Sequence, residues 1–364
     1  MKILIISGVP WTHTLQRHQK IALQLSSIGE VTYLTGVKCR IPSIKEIYLT
    51  IKSKLKNIFS NKKITGHTTC ITDKISLEKT FQFPDSNFFF RLSNKFFYKK
   101  SKYDIVITYL PHSIVENYIN SDSFLIYDCV RDFHLWGGYP NYLKNFENSL
   151  VKRADDIWVD SFWLKNKISN YNPRSIFQIF PTYSDTLIKS ISAHSCLSNK
   201  KLKSLCYYGS INAKLDLQLL IELSSNYKIT LIGPVDSTIE IPSMINYLLP
   251  MEQEELFNKV LQYDGVIIPY KGNMDGVIPA KTSELLNLPM PVFISSFFDS
   301  EKLSESWYVY DSKATLLKLL DNFDFHRFFH THNKNKVKFS KYKDDCLINV
   351  IYSRLEEVGV FDEK

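Results

Sequence analysis

Short apolar runs rich in Ile, Val and Tyr alternate with amphipathic stretches along the whole chain. In the first half, the runs Lys2–Ser7, Glu30–Thr35, Asp104–Thr108, Phe124–Tyr127 and Asp156–Val159 predict β-strands. Such near-continuous apolar runs suit strands covered on both faces. Helical spacing over Leu15–Ser27, Ser113–Ile119, Tyr142–Ala154 and Phe162–Ser169 predicts helices between them. A second series follows, with strands at Leu202–Tyr208, Lys228–Ile232, Gly265–Pro269 and Pro291–Ile294. Its helices are Asp216–Ser225, Glu252–Gln262 and Ala280–Leu286. This alternation implies an α/β fold with parallel sheets. The expected architecture is two Rossmann-like, doubly wound domains facing a cleft, with ligands at the carboxyl ends of the strands. Ser184–Lys201, polar and holding five Ser, reads as a linker. The partition is therefore an N-terminal domain over 1–183, a linker over 184–201 and a C-terminal domain over 202–335. A helical segment over 336–364 is expected to pack back toward the N-terminal domain.

The 364 residues suffice for two domains, and 44% hydrophobic with 23% charged residues is an ordinary globular composition. No apolar run approaches the roughly 18 residues of a membrane span. The opening MKILIISGVPWTH has no small-residue cleavage site, so it reads as a first strand rather than a signal peptide. Six cysteines, Cys39, Cys70, Cys129, Cys196, Cys206 and Cys346, include no C-x-x-C pair. That suits a reducing cytoplasm and offers neither a disulfide frame nor a zinc site.

The net charge of +8 is uneven. Residues 38–102 hold 15 Lys+Arg against 4 Asp+Glu, a local +11 that leaves the remainder at −3. The same stretch carries Phe88-Phe89-Phe90 and Phe96-Phe97-Tyr98 among Arg91, Lys95, Lys99 and Lys100. Basic residues beside aromatics suit an anionic membrane surface, where each cation contributes about 1 kcal/mol. A solvated helix face with its aromatics in the core explains the pattern equally. Nucleic acid is disfavoured because no nucleic-acid motif accompanies the patch.

Four segments carry candidate chemistry. After the first strand, Ser7-Gly8-Val9-Pro10 leads toward a helix. Gly8 permits a sharp turn and close approach to a ligand, although both G-x-G-x-x-G and a Walker lysine are missing. Two later strands end in Gly209-Ser210 and Gly233-Pro234, which would set bare backbone N–H groups on the cleft rim, suited to a pyrophosphate. A third strand ends in Pro269-Tyr270, and Pro279 opens a helix carrying Lys281 and Glu284. That cation and carboxylate suit a phosphate and a ribose, or form a surface pair. In LIYDCVRDF, Asp128 and Asp132 flank Arg131 at a strand end, where a carboxylate can accept a proton from a hydroxyl. The alternative reading of Asp128 is a cap on the following turn, a role aspartate often fills.

Together these segments resemble the GT-B glycosyltransferases, and within them a bacterial group that includes xanthan glucuronosyltransferase and teichuronic acid glycosyltransferases. The resemblance runs through Trp11 and Gln16-Arg17, IYDCVRDF, Glu147 with Ala154-Asp155 to Ser161 and Leu164, Tyr208-Gly209-Ser210, Leu231 to Pro234, and Ile278 to Lys281 with Glu284-Leu285. It implies transfer of a sugar from a nucleotide donor, a UDP-sugar, bound by the C-terminal domain through Gly209, Ser210, Gly233, Tyr270, Pro279, Lys281 and Glu284. The N-terminal domain would hold the acceptor through Gly8, Trp11, His13, Arg17, Arg131 and His134. The acceptor implied is a lipid-linked or lipopolysaccharide or capsule saccharide, met by a cytoplasmic protein peripheral on the inner face of the plasma membrane. The usual paired aspartates read Arg131-Asp132 here, which leaves the base between Asp132 and Asp128, with Asp132 favoured. The retaining branch would need Glu where Gly276 stands, which favours inversion.

His326, His330 and His332 lie among phenylalanines without an acidic partner and read as a mixed helix face rather than a metal site. The resemblance implies that no metal or cofactor is required, the helix dipole and cationic side chains stabilising the leaving diphosphate. Two other readings fit the same fold. One is a nucleotide-sugar 2-epimerase. The other is a non-catalytic partner subunit that binds nucleotide sugar or glycan.

Overall fold

The computed structural model describes residues 1–11, 15–37, 72–80, 88–96, 102–135, 140–193 and 201–361. The chain divides into two compact units. The first comprises Met1–Asp160, Leu164–Ile179 and Ile351–Lys364; the second comprises Ser161–Trp163 and Phe180–Val350.

The first unit is built on a seven-stranded sheet of order β3-β2-β1-β4-β5-β6-β7. Its strands are β1 (Lys2–Ile6), β2 (Glu30–Thr35), β3 (Ile75–Lys79), β4 (Ile105–Thr108), β5 (Phe124–Cys129), β6 (Asp156–Val159) and β7 (Phe177–Gln178). All pairings are parallel; Ile3 sits opposite Val31 on one side and Ile105 on the other. Around it lie α1 (Arg17–Leu25), α2 (Phe88–Phe96), α3 (Tyr142–Arg153) and α4 (Phe162–Ser169). Ile3 to Ile6, Ile105 to Ile107 and Ile157 to Val159 are buried, as expected for strands covered on both faces. The chain order reverses direction between β1 and β4, which opens a crevice at their carboxyl ends.

The second unit repeats the plan with six parallel strands of order β10-β9-β8-β11-β12-β13. These are β8 (Ser204–Tyr208), β9 (Lys228–Ile232), β10 (Asn246–Leu248), β11 (Gly265–Ile268), β12 (Val292–Ser295) and β13 (Tyr308–Tyr310). The helices are α5 (Asp185–Ala193), α6 (Leu217–Leu223), α7 (Gln253–Val260), α8 (Thr282–Asn287), α9 (Phe298–Lys302), α10 (Lys313–Asp321), α11 (Phe325–Phe339) and α12 (Leu347–Glu357). Its reversal lies between β8 and β11.

The expected linker contains a helix, α5, that buries Leu187 and Ser190 on one face. A serine on that face hides the apolar period. The end of α12 clusters with the first unit, where Arg354 grips Asp156 of β6 through Nε and Nη2, both at 2.8 Å. Trp158 Nε1 donates to the same carboxylate at 2.9 Å, so this buried charge is fully hydrogen-bonded.

Candidate active site

In the first unit, the end of β1 is locked rather than open. Ser7 Oγ lies 2.6 Å from His18 Nδ1 and 2.9 Å from the Tyr33 hydroxyl, and the Val9 amide donates to it. The His18 ring stacks on Tyr109 at 3.6 Å. Burial, with Arg17 and Arg131 nearby, lowers His18 to about 3, so it stays neutral and structural. Gly8 does not adopt a left-handed backbone, and an added Cβ would meet Leu110 at an ordinary 3.4 Å. The turn therefore does not demand glycine, contrary to the expectation. Trp11 is buried edge-on against Tyr33 at 4.8 Å. His13 lies outside the described residues, as do 38–71, 81–87 and 97–101 of the basic-aromatic stretch.

Asp128 falls within β5 and is 0% exposed. Its carboxylate is gripped by Arg17, with Nε at 2.9 and 3.1 Å and Nη2 at 2.9 Å, while Arg17 Nη1 donates to Ile179 O. Asp128 is thus neither a turn cap nor partnered by Arg131, which is exposed. The residue that pairs with it comes from 111 positions away. Burial alone would lower Arg17, but the Asp128 carboxylate outweighs it and raises the guanidinium further.

Asp132, 4% exposed, accepts from the His134 amide at 3.0 Å and lies 3.1 Å from Lys167 Nζ. Lys167 also meets Glu147 at 2.6 Å. Glu147 in turn accepts from the Tyr127 hydroxyl at 2.9 Å and lies 3.1 Å from His134 Nε2. Burial works to raise Glu147, yet His134, Lys167 and Tyr127 outweigh it and hold the carboxyl below its ordinary value. Lys167 is pushed above the usual lysine value: burial is the largest influence and opposes this, but Glu147, Cys129 and Asp132 together outweigh it. Asp132 and His134 therefore share one charged network with Glu147 and Lys167. Lys167 was not singled out in the sequence, where it is one more lysine on an amphipathic helix.

In the second unit, Gly209 and Gly233 have φ of +119° and +136°, a region other residues rarely adopt. A Cβ on Gly233 would come within 2.3 Å of Gly209 O, so the two strand ends touch only because Gly233 has no side chain. Their amides are not bare as expected: they continue the ladder to Ile232 O and Leu248 O. Ser210 beyond them is exposed.

Pro279 lies in the turn before α8, its carbonyl accepting from Thr282, and Lys281 is the N-cap residue instead of a first-turn residue. Lys281 Nζ sits 4.1 Å from the Tyr207 ring centre and 4.4 Å from that of Tyr208, and donates to Tyr208 O. Burial lowers it to about 7, against the pull of Glu284. Glu284, in the first turn of α8, accepts from the Tyr208 hydroxyl at 3.3 Å. Tyr270 pairs with the Tyr207 phenol and is raised to about 12 by burial. The second unit thus gathers Gly209, Gly233, Tyr270, Lys281 and Glu284 at the β8–β11 reversal. Among the described residues no cluster of three His, Cys, Asp or Glu could hold a metal ion.

No protein-family model matches the chain, and no curated protein matches it in sequence. Solved structures do. Sucrose-phosphate synthase from Thermosynechococcus elongatus superposes with a TM-score of 0.64 at 10% identity, over 98% of each chain. Anabaena HepE in complex with UDP gives 0.62 at 10% identity, covering 98% of this chain and 100% of that one. The E. coli trehalose-6-phosphate structure bound with UDP-2-fluoro glucose gives 0.61 at 9% identity, covering 98% and 99%.

Proposed function

We propose that this chain, whose fold is GT-B with two Rossmann-like sheets of seven and six parallel strands, is a glycosyltransferase moving a sugar from a UDP-sugar to a saccharide acceptor by inversion. The observation that carries this reading is the Gly209–Gly233–Lys281–Glu284 group at the reversal point of the second sheet. At Gly209, where a Cβ would sit 3.3 Å from Lys281 Nζ, the missing side chain leaves room for a phosphate beside that cation, and the Glu284 carboxylate can take ribose hydroxyls. Two structural relatives, the HepE and E. coli structures, hold UDP or a UDP-sugar, which supports UDP as the nucleotide.

Asp132 is assigned as base in preference to Asp128, whose carboxylate is committed to Arg17. Asp132 takes the proton of the acceptor hydroxyl as that oxygen attacks the anomeric carbon, and the bond from that carbon to the diphosphate oxygen breaks. Lys281 neutralises the charge that develops on the departing UDP. Lys167 is a positioning residue that keeps Asp132 oriented.

The acceptor assigned is a lipid-linked, lipopolysaccharide or capsule saccharide at the cytoplasmic face of a membrane. Support comes from α2, where Phe88 and Phe89 are 66% and 75% exposed beside exposed Arg91. Exposed aromatics within a stretch of local charge +11 suit an anionic lipid surface. No helix among the described residues is long and apolar enough to cross a membrane.

The test is UDP release from a panel of UDP-sugars, with and without bacterial membrane glycolipid. Acceptor-dependent release with product formation supports transfer. Epimerisation without acceptor, or tight binding without turnover, replaces it with an epimerase or a binding subunit.

A further inference from the structure

The second unit carries two exposed faces of opposite charge. The first is on α11. From Phe325 to Lys343 the chain has six Lys+Arg and no Asp or Glu. Phe328, Asn335 and Phe339 form the buried side of the helix; Asn335 meets Ser306, and Phe328 packs on Phe323, which packs on Tyr308 of β13. On the solvent side Arg327, Lys334, Lys336 and Lys338 are exposed and form no ion pair among the described residues. Val337 stands among them, 79% exposed. Lys334, Val337 and Lys338 follow the i, i+3, i+4 spacing of one helix face.

The second face lies at the other edge of the sheet. From Ile229 to Asn258 the chain has five Asp+Glu and no Lys or Arg. Here the edge strand β10 runs into an open groove of about 680 Å³ walled by Tyr247, Leu249, Pro250, Met251, Glu252 and Glu255. Leu249 is 71% exposed. Glu254 and Glu255, in the first turn of α7, are exposed and form no ion pair among the described residues. One edge therefore presents an apolar side chain ringed by cations, and the other an apolar groove rimmed by carboxylates. Five strand spacings, about 24 Å, separate the two edges, so one copy cannot close this contact on itself.

We propose that α11 of one copy of this chain seats in the β10 groove of a second copy, with Val337 against Leu249 and the lysines facing Glu254 and Glu255. A helix laid in an apolar groove is a common mode of recognition, and matched rim charge sets its orientation. A lipid surface would suit α11 but leave the acidic groove unexplained; a basic peptide would suit the groove but leave α11 unexplained. A second copy accounts for both faces with one contact. The contact is heterologous, so each copy can offer its helix to one neighbour and its groove to another. It needs no catalytic property and stands independently of sugar transfer.

The test is sedimentation equilibrium of the full chain up to about 500 μM. The mean mass of the wild type should rise with concentration in about 50 mM salt, and about 500 mM salt should weaken the association at least about fivefold. Val337→Asp and Leu249→Asp change side chains that are 79% and 71% exposed, so both variants should fold, which thermal melts check. Each alone should stay monomeric. Mixed in equal amounts they should pair, because one keeps the groove and the other keeps the helix face, and the mass should stop at the heterodimer. Tyr247 donates to Gly233 O at 3.0 Å, so the groove borders the proposed nucleotide group, and the wild type is also run with saturating UDP. The proposal is overturned if the wild type remains monomeric, if either variant associates as the wild type does, if the mixture fails to pair, or if UDP abolishes association. Binding of the monomeric wild type to phosphatidylglycerol vesicles that Val337→Asp removes would assign the helix face to lipid instead.

Discussion

The Lys281 ammonium gives the second unit a testable pH dependence. With no ligand its pKa is held at about 7 by burial between Tyr207 and Tyr208. Contact with a diphosphate would restore it to its ordinary lysine value, so the protonated form is the one that binds. The unbound protein loses that proton as pH rises through about 7, and each unit above it then costs about tenfold in apparent affinity. Between about pH 7.5 and about pH 9, UDP should bind about 25-fold more weakly, or about 1.9 kcal/mol. The terminal phosphate of UDP titrates near 6, below this window, so the slope belongs to the protein. Isothermal titration at fixed ionic strength in two buffers of different ionisation heat reads both quantities. At about pH 8 binding should take up about 0.9 proton. Lys281→Met should bind weakly with a flat profile and no proton uptake. A wild-type affinity that changes less than about threefold across the window, or a Lys281→Met variant that keeps the slope, refutes the reasoning.

Three further outcomes follow from the same geometry. Asp132→Asn should slow transfer at least about tenfold at unchanged fold, whereas Asp128→Asn should instead lower stability by about 3 kcal/mol by leaving Arg17 underpaired; turnover and thermal melts separate the two. Arg354→Ala should cost about 3–5 kcal/mol in urea titration, because it strands the Asp156 carboxylate, 0% exposed, beneath α12. Asp299 is raised to about 6, chiefly by burial, with one oxygen unpartnered and the other accepting from the Phe162 amide at 2.6 Å. A raised acid stabilises the fold while protonated, so this contribution is full below about pH 4 and is lost as pH rises through about 6. Asp299→Asn should flatten that slope and raise stability at neutral pH by about 1–3 kcal/mol, which pH-dependent melts would show.

What could be read from the sequence follows a physical line. The strands visible as apolar runs, β1, β2, β4, β5 and β6 in one sheet and β8, β9, β11 and β12 in the other, are the interior ones. The four that were missed, β3, β7, β10 and β13, are the four edges. An interior strand of a doubly wound sheet is covered on both faces and flanked on both sides, so its sequence must be apolar. An edge strand escapes that requirement: Ile75–Lys79 buries only its first residue and otherwise looks like loop. The architecture was therefore legible while its margins were not.

The candidate site divides along a similar line, between local conformation and distant pairing. Gly209 and Gly233 were visible because a left-handed backbone admits few other residues, and the need is written at the position itself. What their amides do was not visible, because that depends on Ile232 O and Leu248 O in neighbouring strands. The charged groups fared as the amides did. Asp128 and Asp132 look alike four positions apart, yet one is held by Arg17 from α1 and the other by Lys167 from α4. Both partners are brought in by the sheet topology. Type and spacing can nominate a carboxylate for proton transfer; only the partner that the fold delivers decides whether it has a lone pair to spare. By that criterion the bidentate grip of Arg17 commits Asp128 to holding α1, which is why Asp132, met by Lys167 and the His134 amide at Oδ1, is the carboxylate proposed as base.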